Sequence, residues 1–172
     1  DLKKTNLGRY EYELGNGVDL RETDLRGANL YAANLRKANL SDANLIGANL
    51  SKANLRGANL KNANLTGANL SGANLMKANL SHAKLGNANL SHANFYQANL
   101  REAYLGGANL HQANLTLANL KESILNNANL LGADLTGAYD VSGNQIKSAQ
   151  IDKNTRLPDY ISLKGPWSPL HR

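Results

Sequence analysis

The side chains with the widest chemical range in this chain are its histidines. His82, His92 and His111 lie inside a long repetitive tract. An imidazole can act as general base, proton shuttle or metal ligand, and each role needs company. A zinc site asks for several ligands at about 2 Å. His92 and His111 have only Ser91 and Gln112 beside them, and no carboxylate joins the group. No metal is expected there. His82 has Glu102 twenty residues on, the makings of a surface pair. A catalytic nucleophile needs a base and a group to orient that base, and no such set is present. Nor is there a phosphate-cradling glycine loop or a His-Glu-x-x-His zinc signature. The chain contains no Cys, which excludes disulfides and thiol chemistry. No enzyme activity and no cofactor are expected.

Two groups of residues could bind without reacting. Arg36, Lys37, Arg56 and Lys77 precede Tyr96 at regular intervals. Cations interleaved with an aromatic ring suit single-stranded nucleic acid. Affinity follows the number of phosphates neutralised, and four cations are few, so nucleic acid is the secondary expectation. The second group is Lys84, Tyr104 and Ile124, spaced by 20 residues. Tyr is favoured as an interface anchor. The neighbours Gly86, Asn87, Gly106, Gly107, Asn126 and Asn127 are small, which predicts that Tyr104 and Ile124 stand clear of the surface.

What makes that second group unusual is the pattern it breaks. From Leu20 to Leu135 a large apolar residue recurs at every fifth position, in 24 consecutive units. The centre is Leu in 23 of them and Phe95 in the other. Two residues earlier stands Ala, except at Val18, Thr23 and Ser123. One residue earlier stands Asn in 18 units and Asp in three; the remaining three are Lys84, Tyr104 and Ile124. Five residues of α-helix advance roughly 500°, which scatters the Leu around the cylinder. Five residues of straight strand put alternate Leu on opposite faces. The period buries one set of residues only if the chain turns a corner in every unit. Ala and Leu, two apart, then point inward from a short extended side, and the two free positions form the corner. Units this short must stack on their neighbours to bury anything.

The unit Ala-Asn-Leu-x-x, sustained over 18–137, resembles the pentapeptide repeat family. The resemblance implies an all-β solenoid, a right-handed quadrilateral β-helix with four units per coil. The 24 units would make about six coils, a rod core of roughly 29 Å at 4.8 Å per coil. Four sides put Lys84, Tyr104 and Ile124 in one column. They put Arg36, Arg56, Met76 and Tyr96 in another, and set acidic corners beside basic ones around Arg21, Glu22, Arg101, Glu102, Lys121 and Glu122. Stacked Asn amides could donate to one coil and accept from the next, whereas stacked Asp would repel. On that view the Lys84 column forfeits part of a ladder.

The flanks break the phase. In residues 1–17, Leu7, Tyr10 and Leu14 have helical spacing before Gly15 and Gly17, so a short capping helix is expected; out-of-phase repeats are the rival. In 138–172, Ile146 and Ile151 suggest a degenerate coil. Pro158, Pro166 and Pro169 end regular structure, with Tyr160 and Trp167 as an apolar lid. No run of 18 apolar residues is present, so no membrane insertion is expected. The sequence leaves the compartment open, with the cytoplasm favoured, and a chain beginning at Asp1 leaves a removed leader open. A monomer or weak end-to-end dimer is expected. The function expected is a non-enzymatic structural or protein-interaction module with an unassigned partner, bound along one side. A third reading, a mimic of duplex DNA directed at gyrase, belongs to an acidic, Phe-centred, loop-bearing branch of the family. This chain, with net charge +6, departs from it on all three counts.

Overall fold

The computed structural model describes residues 16–161. Within them the chain returns to itself every 20 residues. Asp19 pairs in parallel with Asn39, Asn39 with Asn59, and the same register runs down four columns as far as Asn119 and Tyr139. Twenty residues are four units, so each unit supplies one side of each layer.

One unit, 68–72, shows why the period is five. Ala68 N–H donates to Leu65 O across the corner at 3.0 Å. Asn69 N–H donates to Ala48 O in the preceding layer at 2.9 Å. Leu70 N–H and Gly72 N–H donate to Asn89 O and Ser91 O in the following layer, at 2.7 and 2.9 Å. The fifth donor, Ser71 N–H, finds its acceptor inside the unit: Oδ1 of Asn69 at 3.1 Å. Every N–H of the unit is satisfied, as a backbone packed this tightly requires. The second corner residue bears the strain. Every such position from Gly17 to Gly137 has a positive φ, between 53° and 80°. Gly fills these positions without penalty; Lys37, His92 and Leu117 occupy the left-handed region at a cost of roughly 1–2 kcal/mol each.

The core is the stacked centre column of each side. From Leu35 to Leu135 every centre residue, Phe95 included, is at most 1% exposed, and the smaller Ala fill the corners between them. Two of the three exceptions to Ala have a visible reason. Thr23 donates its hydroxyl to Leu20 O. Ser123, also buried, accepts from Nε2 of Gln145 at 3.0 Å.

That glutamine belongs to the far end of the stack. Beyond Gly137 the pairing slips: Asn129 pairs with Gln150, one residue late, and Asp134 with Arg156, two residues late. The surplus residues form α1, Gly143–Lys147, started by a capping box of Ser142 and Gln145. Gln145 Nε2 also donates to Leu120 O and Ser123 O, both at 2.8 Å, where no regular layer follows to do so. The degenerate continuation therefore contains a helix that the spacing of Ile146 and Ile151 does not suggest. Tyr160 is not an apolar lid. The residue is 57% exposed, and its hydroxyl donates to Ala138 O at 2.8 Å and accepts from Val141 N–H at 3.1 Å. The helix expected in 1–17 falls almost wholly, and Trp167 wholly, outside the described residues.

Candidate partner-binding site

The register brings Lys84, Tyr104 and Ile124 together. Lys84 pairs with Tyr104, and Tyr104 with Ile124, in one column below Asn64. All three side chains are exposed, Tyr104 by 48% and Ile124 by 44%. The column ends there, because α1 lies where its next member would stand.

The structure corrects the reason these residues matter. Amide-to-amide bonds between layers occur among the described residues in only two columns, for example Asn59 to Asn39 at 3.2 Å and Asn129 to Asn109 at 3.2 Å. The Asn44 and Asn64 amides above Lys84 make none. The common role of the Asn is local. Its Oδ1 accepts the N–H two residues on and closes the corner as an Asx turn. All 18 Asn units do this. So do Asp19, Asp24 and Asp134. Only the three units of Lys84, Tyr104 and Ile124 lack the acceptor. Among the described residues the N–H groups of Gly86, Gly106 and Asn126 have no partner. The Asp units were the signal in the sequence, because a carboxylate serves an Asx turn in full but cannot donate onward in a ladder.

Tyr104 does not stand clear of the surface either. Its ring lies across the corners of its own layer and the layer before. A Cβ added to Gly86 would sit 2.8 Å from Tyr104 Cε1, and one added to Gly106 would sit 2.6 Å from its Cζ. Both glycines are buried beneath it. Neither has a positive φ, so Gly is required there by the ring and not by the turn. The small neighbours let the ring lie down.

The basic group is also in register. Arg36, Lys37, Arg56 and Lys77 are exposed, Tyr96 is half-buried, and none of the four cations forms an ion pair among the described residues. His92 and His111 stand edge to face with ring centroids 5.7 Å apart. No cluster of three or more metal-ligating side chains occurs among the described residues. His82 Nδ1 meets Glu102 at 3.1 Å, and Arg101 holds the same carboxylate at 2.9 Å. No helix among the described residues is long and apolar enough to cross a membrane.

Comparison with known proteins gives the chain its family. The pentapeptide repeats family matches in eight copies, over residues 16–51, 38–76, 73–112 and 113–142. A search of curated proteins returns no match. Among solved structures, alr5209, a pentapeptide repeat protein from Nostoc PCC 7120, is 35% identical with a TM-score of 0.51, covering 67% of this chain and 78% of its own. HetL, a pentapeptide repeat protein involved in heterocyst differentiation regulation in Nostoc sp. strain PCC 7120, is 36% identical with a TM-score of 0.43, covering 84% and 74%. AT2G44920 from the Arabidopsis thaliana thylakoid lumen is 30% identical with a TM-score of 0.41, covering 62% and 70%. The chain belongs to the pentapeptide repeat family, whose members form right-handed quadrilateral β-helices, and it is similar to cyanobacterial members.

Proposed function

We propose that this chain is a non-enzymatic interaction module that binds a protein partner along the side bearing Lys84, Tyr104 and Ile124. The rod it offers is about six coils over 18–137, with a cap in 1–17 and a degenerate coil and cap in 138–172. One observation carries the reading. Three consecutive layers of a single column abandon the corner acceptor that every other unit keeps, and they present a cation, a ring and a branched apolar side chain instead. A structural unit gains nothing from that exchange at the buried Gly86 and Gly106, where a donor left unsatisfied away from water costs about 1–3 kcal/mol. Tyr104 and Ile124 supply the apolar anchors typical of an interface centre.

The test is the triple change of Lys84, Tyr104 and Ile124 to Asn. Restoring three Asx turns should raise the melting temperature, each net hydrogen bond contributing about 0.5–1.5 kcal/mol. The same variant should lose the partners that the native chain captures. Retention of those partners would remove the site from this side.

Nucleic acid is the second reading. It is favoured by the four cations Arg36, Lys37, Arg56 and Lys77, which lack partners among the described residues, and limited by their number. The gyrase-directed reading is the least supported, because a rod of positive charge is repelled by a cationic DNA-binding surface.

A further inference from the structure

We propose that the corner N–H groups of Gly86, Gly106 and Asn126 form a docking row for carboxylate side chains on an acidic helix of the partner protein. The inference rests on the reading that this side binds a partner, and it specifies the chemistry that the partner carries.

The chain itself shows what fits the vacated position. In every other unit an oxygen two residues before the corner N–H accepts from it. In three units that oxygen is a carboxylate: Asp19 accepts from Arg21 N–H at 3.2 Å, Asp24 from Arg26 N–H at 3.3 Å, and Asp134 from Thr136 N–H at 2.9 Å. Each of these carboxylates also has a cation beside it, Arg21 and Arg26 at 2.7 Å and Arg156 at 3.4 Å. The vacated column has the donors and, in Lys84, the cation; only the carboxylate is missing. None of the residues 83–87, 103–107 or 123–127 is acidic. Glu102 on the adjoining corner is already engaged by His82 and Arg101. A carboxylate supplied from outside would complete the same arrangement, with charge-assisted hydrogen bonds.

Spacing selects the partner's geometry. Paired layers lie about 4.8 Å apart, so the three donors form a row at that interval. Side chains at i, i+4 and i+7 of a helix are about 5–6 Å apart. Same-face residues of an extended strand are roughly 6.6 Å apart and fall out of step. The helix stems would lie on Tyr104 and Ile124. Asn126 is at an exposed corner, whereas Gly86 and Gly106 lie under the Tyr104 ring, so engagement of all three donors lifts the ring.

The experiment is an amide proton–nitrogen NMR titration of the full chain with a synthetic helical peptide carrying Glu at i, i+4 and i+7. The expected result is a saturable downfield movement of the Gly86, Gly106 and Asn126 amide protons, with the Tyr104 ring signals shifting in parallel. A peptide with Gln in place of Glu should bind at least about fivefold more weakly, since bonds to charged groups exceed neutral ones. In the variant K84N/Y104N/I124N the chain's own amides fill the positions, and the three protons should not move. Unmoved protons in the native chain, equal movement in the triple variant, or equal affinity for the Gln peptide would each overturn the inference. If the Glu peptide is silent while the triple variant loses its captured partners, the side remains a binding side and the carboxylate chemistry falls. If the triple variant keeps those partners, the binding side itself falls, and this inference with it.

Discussion

Truncation of Leu70 to Ala should lower the stability of the rod by roughly 2–5 kcal/mol. Leu70 is fully buried, and so are Leu50 and Leu90, the centre residues of the same side in the layers before and after. Its buried neighbours Ala68 and Ala73 have no atoms beyond Cβ to move into the space. The chain runs in register above and below, so the layers cannot close up without breaking the bonds from Leu70 N–H to Asn89 O and from Leu50 N–H to Asn69 O, each 2.7 Å. The cavity therefore persists, which places the cost toward the upper part of that range. Chemical denaturation followed by circular dichroism reads it. A cost below about 1 kcal/mol would mean that the Leu column is not the packed interior.

Replacement of Asn69 by Pro should cost about 3 kcal/mol or more. It deletes the N–H that donates to Ala48 O at 2.9 Å and the Oδ1 that accepts from Ser71 N–H at 3.1 Å, and it drives a ring toward the preceding layer. The controls separate these losses. Asn69→Ala removes only the corner acceptor and should cost about 0.5–1.5 kcal/mol. Asn69→Asp keeps an acceptor of the kind that Asp24 and Asp134 already provide, and should be nearly neutral. If Asn69→Ala were as costly as Asn69→Pro, the ladder bond would carry little and the side-chain acceptor nearly everything.

The architecture was legible because one constraint repeats without a break. A Leu at every fifth position admits no helix and no straight strand, and the spacing of Lys84, Tyr104 and Ile124 already pointed to a 20-residue register. The ladder expected of the Asn forms in two columns only, because the same side chain serves both a ladder and an Asx turn, and the Asx turn is the role that all 18 share. Asp19, Asp24 and Asp134 held the clue. The posture of Tyr104 was also hidden. Gly86 and Gly106 look like turn glycines in the sequence, yet it is the ring that requires them, a relation between layers 20 residues apart. The helix Gly143–Lys147 was missed because Ile146 and Ile151 keep the spacing of five across it, while the Ser142 and Gln145 pair that starts it looks like ordinary loop polarity.

The binding side exists only if Lys84 lies beside Tyr104. The chain has no Cys of its own, so a pair of introduced thiols reports that neighbourhood without interference. Parallel partners in adjacent layers lie about 4.8 Å apart, inside the range of about 4.4–6.8 Å that a disulfide spans between Cα atoms. The measurement is disulfide formation under mild oxidation, read by mass spectrometry, in Lys84→Cys/Tyr104→Cys against Lys84→Cys/Asn99→Cys. The 20-residue register predicts an intramolecular disulfide in the first pair and none in the second. A disulfide between positions 84 and 99, or none between 84 and 104 under the same oxidant, would contradict the register and the binding side built on it.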